Sequence, residues 1–465
     1  MKTRTKLSAI GLLSSAIVTS MLCGCGGENN NKSSGANAPS SNVSSYAETI
    51  EPTTEASKEY AITNATVFSD GYAWVYLQDK NMTNYKVHED HQTACIDKSG
   101  EIQFFLNLEH FNYQDQSFLW SNYQQDYNFW HSTNANFWEW HEGTSLVHST
   151  SGPQRIYDTK GNLIFETDDT YYKVACYADG YYAVMKQVKS IDKNEHYVCF
   201  LNTDGTWQKN EWNLDTDSDY YDVDYRGEGI FYCSAKKGKF YDINTNKEFT
   251  VDLLGEPTGQ FSNGKVIWNE VLKYYIVDKN GKLLKSIDNP NNGESKGFNG
   301  RYAALKTEES GKGDSLICYD SQTDNSNEIV SFTNGIQITL GGYAFDESKV
   351  VVGLKGIDKN NYFVTYDNEG KQLYEPIECD EFKVWSSCGR ILITRDGKYY
   401  VYDYDGNLIF DEEKVPYQNP DFHQYSDDVM LINYSGSNFQ YIDKDGKTLF
   451  EKLSYNNVEY NIVKS

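Results

Sequence analysis

"YVYDYDGNLIF", residues 400–410, carries two opposed readings. Asp403, Asp405 and Gly406, with Glu412 beyond them, echo part of an EF-hand calcium loop. The first position of that loop would be Val401, which cannot ligate, and the flanks are patterned as strands rather than helices. The second reading is a hairpin turn. An Asp at the first turn position accepts a hydrogen bond from the backbone two residues on, and a following Gly takes the left-handed conformation that closes a bulged hairpin. Apolar residues on both sides, Val401 and then Leu408 to Phe410, supply the two strands.

The turn recurs, as scaffold chemistry should. "ACIDKSGEIQF" places Asp97 before Gly100, and "RIYDTKGNLIF" places Asp158 before Gly161. "CFLNTDGTW" ends its turn at Gly205. "YYIVDKNGKLL" has Asp278 and Gly281, "VTYDNEGKQLY" Asp367 and Gly370, and "QYIDKDGKTLF" Asp443 and Gly446. Two degenerate copies, "FYDINTNKEF" with Asn246 at the glycine position and "ICYDSQTDNS", bring the total to nine. Asn tolerates the left-handed region better than most residues, so Asn246 fits the turn reading. Asp405 is Ser99, Lys160 or Asn280 in sibling copies, which makes it incidental.

A second signal precedes each turn: a small or aromatic residue, a glycine and an apolar strand. "FSDGYAWVYL", "YADGYYAVM", "FSNGKVIW", "FNGRYAAL", "LGGYAF" and "SSCGRILIT" carry it, and "HEGTSLV", "RGEGIFY" and "YSDDVMLI" carry it weakly. Openers from Gly143 to Asp428 lie 35–49 residues apart, within the range of propeller-like repeats. No segment after the N-terminus sustains a 3.6 period. The "SDGYA" opener and the Y-I-D-x-x-G-K/N turn resemble those of the WG-repeat proteins of bacteria over roughly residues 60–455. The Trp-Gly dipeptide itself is absent, and "KYYIVDKNG" and "KYYVYDYDG" have Tyr in its place. The resemblance implies an all-β, β-propeller-like fold and transfers no single activity. The expectation is one ring over 60–465, of about seven to nine blades with three to four antiparallel strands each.

Composition agrees with strands. Aromatics make up 15% of the 465 residues, led by 38 Tyr, with only 8 Pro. The formal net charge of −25 argues against nucleic acid or anionic lipid as partner. Lys2, Arg4 and Lys6 precede an apolar stretch from Leu7 to Leu22, the pattern of a signal peptide. Leu22, Cys23, Gly24 and Cys25 resemble the lipobox of bacterial lipoproteins. That resemblance implies a signal peptide over 1–24, cleavage before Cys25, a lipid on Cys25 and anchoring on the outer face of a bacterial membrane. Residues 25–59 are Ser/Asn/Thr/Glu-rich and too polar to bury a core, so they are expected to be a disordered tether, spanning roughly 30 Å.

One stretch breaks the repeat. "FNYQDQSFLWSNYQQDYNFWHSTNANFWEWHE", 111–142, falls in the overlong gap between Gly71 and Gly143, so an insertion at about 107–142 is expected to project from the ring. Its Trp120, Tyr123, Tyr127, Trp130, Trp138 and Trp140 offer rigid area for a sugar face or a protein partner, against the alternative that they pack the loop onto its neighbours. "DTDSDYYDVD", with Asp215, Asp217 and Asp219, is a weak divalent-metal candidate without the loop Gly or terminal Glu of a calcium site. Six of the eight His lie between 88 and 148 without zinc spacing. Seven cysteines follow Cys25, an odd number in strand-like contexts. Free buried thiols are expected, with Cys379 and Cys388 the pair to test. There is no nucleophile elbow, P-loop or dinucleotide fingerprint. The chain therefore reads as a monomeric binding or scaffold module without cofactor, for a protein or glycan at the cell envelope. A propeller hydrolase or lyase acting on polysaccharide is the alternative, and a structural spacer the third reading.

Overall fold

A computed structural model of the chain describes residues 59–462 apart from 80–90, 107–139, 149–152, 190–193, 215–221, 234–237, 290–294, 310–312, 333–336, 339–343, 346–348, 357–359, 386–387, 415–420, 434–438 and 457. The signal peptide, Cys25 and nearly all of the tether lie outside those residues. Every regular element among the described residues is a strand. The strands form nine consecutive antiparallel units, at 59–105, 144–166, 171–213, 223–250, 256–288, 295–331, 337–379, 381–411 and 421–443. Units five and six are joined into one sheet through the single pair Gln260 and Phe298. Most units are four-stranded meanders, and units two and nine show three strands among the described residues. In unit seven the first strand is split into Gln337–Ile338 and Ala344–Phe345, both paired with Lys349–Lys355. The chain is an all-β propeller-type ring.

Burial is deepest in the middle of each unit and least on its outer strand. Second strands carry the most continuous buried runs, as in Ile230–Cys233 and Val429–Asn433, where every residue is buried. Such a strand is covered on both faces, so alternation gives way to a continuous apolar run. Outer strands such as Leu283–Asp288 are largely exposed.

The nine hydrophobic cores lie between units rather than within them. Trp74, Cys95 and Phe104 of unit one meet Trp140, Val147 and Tyr157 of the second. The series continues to units eight and nine, where Val401 and Phe410 meet Met430 and Ile442. The remaining core joins Val429, Leu431 and Tyr441 of unit nine to Val67, Phe68 and Val75 of unit one. The ring is therefore closed.

Both chain ends make that closure. Lys452–Tyr455 and Val458–Ile462 form a hairpin whose second strand pairs in parallel with Glu59–Ala65. Tyr441 donates its hydroxyl hydrogen to the Thr66 carbonyl at 2.7 Å. The closing joint also uses the two devices found at other joints. In the first, an acidic residue of one opener turn caps the next opener: Asp70 Oδ2 accepts from Gly143 N at 2.6 Å, Glu228 Oε2 from Gly264 N at 3.0 Å, and Asp427 Oδ2 from Gly71 N at 2.5 Å. Asp70 and Gly71 both have positive φ, 53° and 83°, as a two-residue type I′ hairpin requires. In the second device, turn glycines rest on the outer edge of the unit before. A Cβ at Gly161 would lie 2.8 Å from the Phe104 ring, one at Gly406 2.7 Å from Tyr374, and one at Gly100 2.9 Å from the Lys452 carbonyl oxygen.

The meander gives the ring two unlike faces. Opener turns and D-x-x-G turns share one end of every unit, the turn face. The joins between second and third strands, and between units, share the other, the loop face. The first strand starts at Glu59 on the loop face and runs toward Asp70, so the chain enters the ring from that side.

Candidate binding surfaces

The turn face is occupied by its own hydrogen bonds. Asp403 Oδ1 accepts from Asp405 N and Asn407 N, both at 2.9 Å, and Oδ2 accepts from Asn407 Nδ2 at 2.9 Å. Gly406 has φ 80° and donates to the Asp403 carbonyl at 3.2 Å. Asp405 pairs with Lys349 at 2.8 Å and Glu412 with Lys398 at 2.8 Å. The carboxylates that suggested calcium are thus committed to N–H groups and ammonium groups. Asp97, Asp158, Asp278, Asp367 and Asp443 accept from the residues two and four positions on in the same way. In the third unit Gly205 donates to the Asn202 carbonyl at 2.9 Å. Among the described residues no three His, Cys, Asp or Glu side chains group as metal ligands do. Asp215, Asp217 and Asp219 lie outside the described residues.

Of the insertion aromatics, Trp120, Tyr123, Tyr127, Trp130 and Trp138 also lie outside them. Trp140 departs from the expectation of a projecting contact residue. It is fully buried, stacked 5.2 Å from Trp74 with Tyr72 5.6 Å away. It immediately precedes the unit-two opener, and the joint with unit one needs a large apolar side chain there. Its carbonyl accepts from Ser69 Oγ at 2.7 Å.

The seven cysteines are free thiols, Cys379 and Cys388 included. Burial, and then nearby carboxylates, push Cys199, Cys318 and Cys379 up to about 12. Burial likewise raises Cys388 to about 12.

Three surface features remain. On the loop face, Leu254, Val271 and Leu272 are 76%, 64% and 58% exposed, at adjoining connections of unit five. At the closing joint a cavity of about 300 Å³ is lined by Ile62, Phe439, Tyr441, Phe450 and Ile462 with Lys452 at hand, largely the side chains that seal units one and nine.

The third feature is a partly exposed aromatic cluster at the joint of units two and three. Trp207 on the outer strand Trp207–Asn213 stacks on Tyr171, centroids 4.7 Å apart and planes 26° from parallel. Phe165, from the outer strand of unit two, meets Trp207 edge-on at 5.5 Å. Lys186 pairs with Glu211 at 2.7 Å and lies 5.5 Å above the Tyr197 ring. Partial burial acts to lower the Lys186 pKa, but the Glu211 hydrogen bond and the charges of Cys199 and Glu211 outweigh it, and the net shift is upward. Tyr171 is raised, first by burial and then by Cys199. Sequence reading passed over this cluster because its rings come from 165, 171 and 207. The signal that marks it is "WQKNEWN", where Trp, Lys, Glu and Asn alternate along one exposed edge.

No family model matches the chain, and no curated protein does. Solved structures do share features of its shape. The C-terminal WD40 domain of Sif2 is 12% identical, with a TM-score of 0.37 over 74% of this chain and 95% of that one. BamB from Moraxella catarrhalis is 11% identical, with a TM-score of 0.34 over 65% and 94%. The β-propeller domain of the Trilobed protease from Pyrococcus furiosus is 11% identical, with a TM-score of 0.30 over 60% and 96%.

Proposed function

We propose that the chain is an exported bacterial lipoprotein of WG-repeat type, whose ring is a binding module for a protein or glycan of the cell envelope. In this reading residues 1–24 are removed on export, Cys25 carries the lipid on the outer face of the membrane, and 25–59 tether a monomeric ring. The observation that carries it is the inequality of the two faces. The turn face is bound up in its own hydrogen bonds. The loop face carries exposed Leu254, Val271 and Leu272, and the outer strand of unit one ends on that face at Leu106, where the expected insertion begins. Contacts are made by such connections, while the strands hold them in place.

The test uses the full chain in detergent to capture material from an envelope extract. The expected outcome is specific capture by the wild type and its loss in Trp130→Ala/Trp138→Ala. Equal capture by that double variant removes the insertion from the site. Fractionation supplies the second arm: Cys25→Ala should leave the membrane fraction, and its retention there would overturn the anchor.

A further inference from the structure

We propose that the outer edge of unit three is a stacking site for a neutral glycan, formed by Trp207, Tyr171 and Phe165 with Lys209, Glu211 and Asn213 beyond them. The proposal rests on the ring's being a binding module and assigns a ligand class to residues outside the 107–142 insertion.

The starting point is where indoles lie in this ring. Trp74, Trp140, Trp212 and Trp268 are among the largest fully buried side chains, whereas Trp207 is 38% exposed. Its orientation is nonetheless fixed, by the stack on Tyr171 and the edge of Phe165. Tyr171 and Phe165 also meet edge-on at 6.4 Å. A rigid exposed ring offers binding area at little entropic cost.

The same strand then supplies polar groups. Exposure alternates along Trp207–Asn213, so Lys209, Glu211 and Asn213 are exposed on the same strand as Trp207. An ammonium donates, a carboxylate accepts and an amide does both. A pyranose matches that order: one flat C–H face for the indole, and a rim of hydroxyls that donate and accept.

Charge decides which glycan. Near the rings the cations are paired: Arg155 bonds Glu166 at 2.5 Å, and Lys186 bonds Glu211 at 2.7 Å. Asp168 and Glu195 add acidic charge beside them. The site therefore offers a polyanion no attracting field, and the net charge of −25 repels one. A protein partner would seek aliphatic surface, and the most exposed aliphatics lie in unit five instead.

Calorimetric titration of the full chain in detergent with soluble tetra- to hexasaccharides of glucose, mannose and N-acetylglucosamine tests this. The expected result is saturable binding of at least one series, insensitive to added salt. Trp207→Ala should weaken it about tenfold or more. Trp207→Phe should retain most of it, which guards against loss of fold in the alanine variant. Leu408→Ser, on the exposed outer strand of unit eight, should bind as the wild type does. Absence of binding for all three series, or equal binding by Trp207→Ala, overturns the proposal, as does binding abolished by salt. Failure here with envelope capture intact would sink the glycan strip alone. Sugar binding with capture unaffected by the insertion variant would sink the insertion alone.

Discussion

His141 lies flat against Tyr177, ring centroids 4.3 Å apart and planes 5° from parallel, where unit two meets unit three. Burial lowers its pKa from 6.5 to about 4. A depressed base favours the folded state while it is neutral, so its contribution is complete above the unfolded value of 6.5 and is lost as pH falls through about 4. Thermal melts should therefore show the midpoint declining between pH 6.5 and 4, with a flatter profile over that window in His141→Phe. Asp320 behaves separately. Its hydrogen bonds from Arg301, at 2.6 Å for Nε to Oδ1, hold it well below the ordinary carboxylate range. Its contribution is present above that range and goes only at more acid pH. An equal decline in the His141 variant would place the titration elsewhere. The turn carboxylates were legible in the sequence because each has siblings: Asp403 means little alone and much beside Asp97 and Asp443. Trp140 was not, since an indole in an aromatic-rich stretch reads alike whether it projects or seals a joint. Only the position of Trp74 across the joint separates the two.

Among the described residues, Lys306 and Asp314 form the most deeply buried ion pair, 3.0 Å apart with side chains 8% and 4% exposed. They sit on Tyr302–Glu309 and Gly313–Asp320 of unit six. Both reach across to unit seven, where Asp314 accepts from Ile338 N at 2.8 Å and Lys306 donates to the Ile338 carbonyl at 3.2 Å. Removing one partner strands the other charge in a low-dielectric joint. Asp314→Asn should cost about 3–5 kcal/mol, whereas Lys306→Met/Asp314→Leu should cost less, since it strands no charge and removes only the partners of the neutral Ile338 amide groups. Urea midpoints of the two variants measure this, and equal midpoints would show that the pair is solvated. At this scale the hairpins were legible, since alternation and turn chemistry are local. The pairing of Lys306 with Asp314 and the meeting of Phe165, Tyr171 and Trp207 were not, because each depends on which strands face one another across a twist.

A ring stabilised at its joints depends on every joint. The nine turn copies in the sequence point to one ring, but not to the contact that closes it. Their closure rests on the parallel pairing of Val458–Ile462 with Glu59–Ala65, a contact between chain ends with no local signature. Deleting residues 452–465 should uncover Tyr60, Ile62 and Phe105, which pack at the closing core. The expected results are a lower melting midpoint and binding of a hydrophobic dye by the shortened chain. A truncated protein that melts like the full one and binds no dye would mean that the other contacts of the closing core suffice. Closure by the first and last strands also sets an order of events under the proposed export. In that reading the first strand emerges early and waits without its partner, and the ring cannot lock until the hairpin of Lys452–Tyr455 and Val458–Ile462 has crossed. Until then every intermediate has an open flank, so passage of that hairpin, rather than formation of any one unit, is the step after which the ring should resist proteolysis.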